Sequence, residues 1–156
     1  LTRTEVTAMR QVDGLWHIST SAGEYRAKAI VNAAGPSVLQ LFDRGHVQSN
    51  HALRLVRGSH IVVSKLFDHA YAYFFQLPDG RIFFAIPYER DYTLIGTTDE
   101  PWEGLPGKAQ ISPAETGYLC ETARRYFERQ IHPEDVVWSY AGIRPLYDDH
   151  AASALP

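Results

Sequence analysis

Lys28-Ala-Ile-Val-Asn-Ala-Ala-Gly-Pro36 is a continuous apolar run that ends in two small residues, a glycine and a proline. A short uninterrupted apolar run is typical of a strand buried on both faces of a parallel sheet. Gly35 permits a turn because it has no Cβ, and Pro36 begins the next segment at a preset φ. The stretch therefore predicts a buried strand over residues 28–34, followed by a place where backbone approaches a ligand closely.

Short elements are predicted on both sides of this stretch. Two alternating runs, residues 5–10 and 15–20, are joined by Asp13-Gly14, and Asp-Gly in that position favours a hairpin. Residues 37–42 predict a short helix closed by Gly45. This pattern is typical of the end of a Rossmann-like dinucleotide-binding domain, so residues 1–45 are assigned to a remnant of one. The 156 residues contain no Gly-x-Gly-x-x-Gly phosphate loop.

A second, β-rich domain is predicted over residues 46–145. Ser112-Pro-Ala-Glu115 has the spacing of a capping box with proline at the first helical position, so a helix is predicted over 113–130. A last strand is predicted over 136–140. The other predicted strands form an antiparallel sheet joined by loops of hairpin length; they are residues 56–64, 71–77, 81–88 and 92–98.

The predicted fold class is therefore α+β: a mostly antiparallel sheet with one packed helix, plus the Rossmann-like remnant. Residues 146–156 are assigned to the start of a return to the first domain. The chain opens on Leu1 rather than methionine and stops at Pro156 without a closing element, which favours an internal fragment of a longer protein.

Composition excludes several classes of function. The formal net charge of -3 gives no electrostatic footprint for a nucleic-acid partner. Cys120 is the only cysteine, which excludes an internal disulfide and fits a reducing compartment. The seven histidines have no metal-ligand spacing, so no metal site is predicted. No apolar stretch approaches the roughly 20 residues that a membrane span requires.

Two short segments carry the side chains best suited to chemistry. Arg57-Gly-Ser-His60 begins the first long strand, and Gly142-Ile-Arg-Pro145 ends the last one. A histidine accepts a proton near neutral pH, and an arginine clamps a carboxylate or a phosphate. Spacing alone leaves His60 more typical of a polar strand end, and it leaves Arg144 evenly divided between a site residue and an ordinary surface arginine. Thr97, in Ile95-Gly-Thr-Thr-Asp99, lines a pocket or shapes a turn.

Four motifs in this order resemble the FAD-dependent (aerobic) glycerol-3-phosphate dehydrogenase family. The resemblance covers residues 28–149. Two of the motifs are shared with glycine- and sarcosine-oxidase-like flavoproteins, whereas Arg-Gly-Ser-His and Gly-Ile-Arg-Pro narrow the resemblance to the dehydrogenase family. The motifs are Ile30-Val-Asn-Ala-Ala-Gly-Pro36, Arg57-Gly-Ser-His-Ile-Val-Val63, Ile95-Gly-Thr-Thr-Asp99 and Tyr140-Ala-Gly-Ile-Arg-Pro-Leu146. The resemblance implies a fold of the glycine-oxidase and glycerol-3-phosphate-dehydrogenase type.

The resemblance also implies an activity. The parent protein would oxidise sn-glycerol 3-phosphate to dihydroxyacetone phosphate, transfer a hydride to FAD and pass electrons to membrane quinone. It would lie in the cytoplasm, peripheral to the inner face of the cell membrane. Apart from the resemblance, the open edges of an orphaned strand such as 28–34 would allow the fragment to pair into a homodimer. Ser37 departs from the family, in which a tryptophan often follows Gly-Pro.

Roles follow for individual residues. His60 falls on the motif histidine and would be the general base, while Arg144 falls on the motif arginine and would bind the substrate phosphate. Thr97 would line the substrate pocket. The residues expected to meet FAD are Ala33, Ala34, Gly35 and Gly142.

Two alternatives stay open at this point. A glycine- or sarcosine-oxidase-like enzyme would use Arg144 for a carboxylate and would need no base such as His60. A non-catalytic domain would keep the fold without the flavin. Since the Gly-rich FAD loop is absent from these 156 residues, we expect the isolated fragment to be inactive and to hold FAD weakly.

Overall fold

The computed structural model describes residues 1–148 of the chain. These residues divide into two compact units, Leu1–Ala52 and a second unit that begins at Leu53. No helix within the described residues is both long and apolar enough to cross a membrane.

The first unit contains a three-stranded antiparallel sheet and one short helix. The strands β1 (Val6–Val12), β2 (Leu15–Thr20) and β3 (Gly23–Ala27) lie in chain order. Asp13 and Gly14 form the β1–β2 turn with φ of 51° and 76°, which confirms the predicted hairpin. The predicted short helix is also confirmed: α1 (Val38–Arg44) is followed by Gly45 as its C-cap.

The predicted strand over residues 28–34 is wrong. These residues have no regular secondary structure, and the Val31 side chain is 88% exposed. An apolar strand of a parallel sheet is stable only between neighbouring strands that satisfy its backbone groups. All strand pairs within residues 1–148 are antiparallel, so this segment has no such neighbours in the described structure.

The second unit is built around a six-stranded antiparallel sheet, which confirms the predicted fold class. The long strand β4 pairs with β7 and β8 on one edge and with β9 on the other, and β6 and β5 follow β7 outward. The bounds are β4 (Leu53–Ser64), β5 (Tyr73–Gln76), β6 (Ile82–Tyr88), β7 (Tyr92–Gly96), β8 (Glu100–Pro101), α2 (Pro113–Arg124) and β9 (Val136–Tyr147).

Alternation along the strands separates two faces of this sheet. The odd-numbered residues of β4, such as Ile61 and Val63, join a buried cluster with Leu119 and Ala123 of α2. The even-numbered residues, Gly58 and His60 among them, therefore lie on the opposite face. The helix begins at the predicted place, since Ser112 and Glu115 form a complete capping box.

Two predicted element ends in this unit are wrong by more than three residues. The helix α2 ends at Arg124 rather than 130, because Tyr126 and Phe127 pack on other aromatic side chains. The ring centroids of Tyr126 and Phe75 lie 4.2 Å apart. The strand β9 continues to Tyr147 rather than ending at Tyr140, because β4 pairs with it along its whole length. Leu146 and Tyr147, assigned to the return segment, belong to β9, and 149–156 lie outside the described residues.

Two substitutions in α2 are expected to change stability in opposite directions. Leu119 is fully buried, so Leu119→Ala removes packed atoms and should lower the free energy of unfolding by about 2–5 kcal/mol. A Cβ on Gly117 meets no atom within 4 Å, so Gly117→Ala should raise it by about 1 kcal/mol through helix propensity alone. Urea titration followed by circular dichroism measures both, and equal effects of the two changes would contradict this account.

Candidate active site

Pairing between β4 and β9 brings the two predicted chemical segments together. His60 lies opposite Tyr140, Gly58 lies opposite Gly142, and Val56 lies opposite Arg144. On the other edge of β4, His60 lies opposite Gly96 of β7. Segments more than 80 positions apart in the sequence therefore occupy one face of the sheet, the face turned away from α2.

A cavity of about 250 Å³ opens on this face. It brings together four of the predicted site residues, His60, Thr97, Gly142 and Arg144. Ala33, Ala34 and Gly35 belong to the first unit. The remaining residues that line the cavity are Gly58, Phe84, Tyr140 and Ile143.

The imidazole of His60 is held between a glycine and an aromatic ring. It stacks on Tyr140 with ring centroids 4.8 Å apart and planes 7° from parallel. A Cβ on Gly96 would lie 2.2 Å from Cδ2 of His60, so only glycine leaves room for the ring. The Nδ1 atom is buried and has no hydrogen-bond partner within residues 1–148. The ring is thus positioned by packing rather than by hydrogen bonds.

The electrostatic surroundings keep this imidazole neutral. Burial lowers the pKa of His60 below its ordinary value of 6.5, and the positive charge of Arg144 lowers it further. A neutral imidazole at neutral pH is able to accept a proton. The arrangement therefore suits a general base.

The guanidinium of Arg144 is anchored from one side. Its Nη2 donates to the carbonyl oxygen of Thr98 and to Oδ1 of Asp99, both at 2.8 Å. Gly58 makes room for it, because a Cβ there would lie 2.7 Å from Nη2. Both bonds use the same nitrogen and the side chain stays 44% exposed, so the fixed guanidinium remains accessible to an anion.

A buried carboxylate behind the sheet was missed by the sequence analysis. Glu115 was read only as part of a capping box, yet its Oε1 accepts hydrogen bonds from Ser59 Oγ at 2.7 Å and Thr98 Oγ1 at 2.8 Å. Arg57 Nη2 lies 2.9 Å from Oε2. Burial opposes ionisation of Glu115, but hydrogen bonds from the Ser112 backbone, Ser59 and Thr98 outweigh it and lower its pKa.

Two aromatic residues of the cavity were also missed, Phe84 and Tyr140. Phe84 pairs with Gly96, so the row Phe84, Gly96, His60 and Tyr140 crosses three strand boundaries. No local signal marks either residue, because Phe84 and Tyr140 come to His60 only through the pairing of their strands with β7 and β4. No group of three or more metal-ligating side chains occurs in the described part of the chain.

The small residues predicted to meet FAD leave their backbone accessible to a ligand. Gly35 has φ of 55°, and a Cβ there would meet no atom within 4 Å. Ala33 and Ala34 are exposed, and the Asn32 side chain holds this loop by accepting from Ala34 N–H and donating to the Val38 carbonyl. In the second unit, a Cβ on Gly142 likewise meets no atom within 4 Å, so backbone is accessible there.

Comparison with known proteins gives a consistent result. Glycerol-3-phosphate dehydrogenase of Pseudomonas aeruginosa is 42% identical over 96% of this chain, and the aerobic glycerol-3-phosphate dehydrogenase of Escherichia coli is 40% identical over 98%. D-erythritol 1-phosphate dehydrogenase of Brucella abortus is 42% identical over 96% of the chain. The chain spans 30–32% of the length of these relatives. The resemblance to this group of dehydrogenases is confirmed.

Solved structures agree with the fold. Glycerol-3-phosphate dehydrogenase from Bacillus halodurans, complexed with FAD, matches 97% of this chain and 32% of its own with a TM-score of 0.81 and 28% identity. Glycine oxidase from Geobacillus kaustophilus shares the fold, with a TM-score of 0.70 at 23% identity over 95% of this chain and 38% of its own.

The family match extends over nearly the whole sequence. Residues 1–155 match the family described as FAD dependent oxidoreductase. Together with the small-residue loops and the cavity that holds a histidine and an arginine, this match assigns the chain to that family: it belongs to the FAD dependent oxidoreductases.

Proposed function

We propose that the protein carrying this chain oxidises sn-glycerol 3-phosphate to dihydroxyacetone phosphate with FAD as hydride acceptor. One observation supports this proposal above the others. A neutral histidine and a fixed, accessible arginine line the same cavity, His60 and Arg144. A proton acceptor beside an anion clamp is what oxidation of a phosphorylated alcohol requires.

Arg144 would bind the phosphate of the substrate. Its guanidinium is a permanent charge whose planar fork suits phosphate oxygens better than the point charge of a lysine. Thr98 and Asp99 hold one nitrogen and thereby orient the others. Thr97, whose hydroxyl donates to the Thr98 carbonyl at 3.0 Å, would line the substrate pocket beside it.

His60 would act as the general base. The hydroxyl proton at C2 passes to the imidazole while the C2–H bond breaks, and the C2–O bond becomes a carbonyl. The hydride leaves with both electrons of the C2–H bond, so the step balances as proton plus hydride. General-base catalysis of this kind contributes about 100- to 10,000-fold to a rate.

FAD, when bound, supplies the acceptor for that hydride. Ala33, Ala34 and Gly35 would meet it through backbone, since their side chains are small and their loop is held by Asn32. Gly142 would leave space for it on the cavity face. The chain spans less than a third of its relatives' length, so we expect the isolated chain to hold FAD weakly and to be inactive.

Further expectations rest on the family resemblance. Electrons would pass to membrane quinone, and the protein would lie in the cytoplasm, peripheral to the inner face of the cell membrane. A homodimer is proposed on a different ground, namely pairing through open strand edges. Flotation of the full-length protein with anionic liposomes and reduction of a soluble quinone analogue would test the first two expectations.

Substrate class is the point on which relatives differ. The similarity to D-erythritol 1-phosphate dehydrogenase supports a wider class of polyol phosphates. An amine oxidase of the glycine-oxidase type would instead use Arg144 for a carboxylate, and a non-catalytic domain would use neither residue. The general-base geometry of His60 favours alcohol oxidation, because a neutral amine already carries its lone pair.

Anaerobic bleaching of the flavin in the full-length protein separates these candidates. Glycerol 3-phosphate should bleach it, because it offers a hydroxyl proton to His60 and a phosphate to Arg144, while glycine, sarcosine and a D-amino acid, which have neither group, should not. Bleaching by D-erythritol 1-phosphate as well would extend the substrate class to polyol phosphates. Bleaching by an amine alone would overturn the proposed function.

Removal of the base should slow turnover without removing the phosphate clamp. We expect His60→Ala to lower kcat by about 100- to 10,000-fold. Gly96→Ala should cause a loss of similar kind, since its Cβ would overlap Cδ2 of His60. His69→Ala is the matched control, because His69 is exposed and lies outside the cavity. An unchanged kcat in His60→Ala would contradict the general-base role.

The pH dependence of kcat/KM should report the electrostatic effect of Arg144 on the pKa of His60. The acidic limb, where His60 becomes protonated and inactive, should lie below pH 6.5, because burial and Arg144 lower the pKa of His60. Arg144→Gln removes the repelling charge, so the pKa of His60 rises and the limb moves to higher pH. Arg144→Lys keeps the charge and should leave the limb nearly in place. Equal limbs in the Gln and Lys variants would refute the coupling.

A further inference from the structure

Glu115 connects α2 to the loop of residues 97–99. Two residues of that loop, Thr98 and Asp99, accept hydrogen bonds from Arg144. Its carboxylate caps α2 by accepting from the Ser112 N–H at 2.8 Å, and it pairs with Arg57 of β4. The same carboxylate accepts from the hydroxyls of Ser59 and Thr98. A cap alone would use only the first of these bonds.

Thr98 makes three hydrogen bonds to Glu115 and Ser59 within this network. Its hydroxyl donates to Glu115 at 2.8 Å and accepts from the Ser59 N–H at 2.9 Å. Its own N–H donates to the Ser59 carbonyl at 3.4 Å. The side chain is only 3% exposed, so these bonds are made away from water.

The remaining polar atom of Thr98 points to the other side of the sheet. Its carbonyl oxygen accepts from Arg144 Nη2 at 2.8 Å and from the Thr97 hydroxyl at 3.0 Å. A continuous chain of bonds therefore runs from Glu115 through Thr98 to Arg144. Displacing the Thr98 carbonyl would free the guanidinium to turn, because its second bond, to Asp99, joins two flexible side chains.

We propose that Glu115 is a positioning residue for the phosphate clamp, which it orients through Thr98. This inference rests on the proposed function, since it assigns Arg144 to substrate phosphate. Glu115 does not line the cavity that His60 and Arg144 share. Its loss should therefore weaken substrate binding and leave the proton transfer by His60 largely unchanged.

The test compares steady-state kinetics of the full-length, flavin-loaded protein and its variants. Glu115→Gln keeps the side-chain shape. It replaces one acceptor oxygen by an NH2 group, which faces the donors Ser59, Thr98 or Arg57. Thr98→Val keeps the volume and removes the hydroxyl that donates to Glu115 and accepts from the Ser59 N–H. Each should raise KM for glycerol 3-phosphate about tenfold or more, with kcat within about threefold of the parent. Thr98→Ser keeps the hydroxyl and should restore KM to within about twofold of the parent.

Thr93→Val is the matched structural control. Thr93 is fully buried on β7, and its hydroxyl accepts from the Leu66 N–H at 3.0 Å without any bond to the cavity. The substitution removes one buried threonine hydroxyl, as Thr98→Val does, and should leave KM unchanged. An equal rise of KM in both variants would mean general loosening of the sheet and would overturn the inference. A folded Thr98→Val variant with the parent's KM would overturn it too.

Two further results are informative. If Glu115→Gln does not fold, the comparison of Thr98→Val with Thr98→Ser decides the question alone. If glycerol 3-phosphate fails to bleach the parent flavin, the proposed function fails, and crystals of Thr98→Val then test the inference separately. An Arg144 guanidinium still bound to the residue 98 carbonyl would refute it, whereas a displaced guanidinium would support it.

Discussion

The antiparallel pairing of β4 with β9 is the constraint on which the candidate site depends. Eleven residues of each strand are paired, and the register sets His60 opposite Tyr140 and Gly58 opposite Gly142. Because side chains alternate along a strand, a slip of one residue would turn His60 into the helix-packed core and Ile61 into the cavity. Burial of Ile61 and Val63 against α2 opposes such a slip. The hydrophobic core therefore also determines which side chains lie on the opposite face.

Glycine gives that face its concave shape. Gly58 and Gly142 lie opposite each other, and Gly96 lies opposite His60, so three positions next to the polar side chains carry no Cβ. Side chains at Gly58 and Gly96 would overlap Arg144 and His60 respectively. Glycine weakens a strand interior, and here that cost is offset by room for two functional groups.

The charged side chains on the two sides of the sheet differ in their exposure to solvent. On the helix side, the buried Glu115 pairs with the partly buried Arg57, and a buried carboxylate is tolerated only when its oxygens are hydrogen-bonded. Ser59, Thr98 and the helix N-terminus satisfy the carboxylate. On the cavity side, Arg144 keeps access to solvent while it lowers the pKa of His60. Under the proposed function, this one arginine would bind the substrate anion and would also keep the neighbouring base unprotonated.

Local signals were sufficient for the elements that depend on near neighbours in the chain. The Asp13-Gly14 hairpin, the α2 cap at Ser112 and the antiparallel class of the sheet follow from turn chemistry and alternation. Motif identity also marked His60 and Arg144 for one site, although their roles remain proposals. Long-range contacts decided the rest. Residues 28–34 lack strand neighbours within the described residues, α2 stops where Tyr126 and Phe127 meet other rings, and Glu115 gains its partners only when β4 and the 97–99 loop pack on it. A residue's own sequence carries its propensity, but hydrogen-bond partners and burial are supplied by segments far away in the chain.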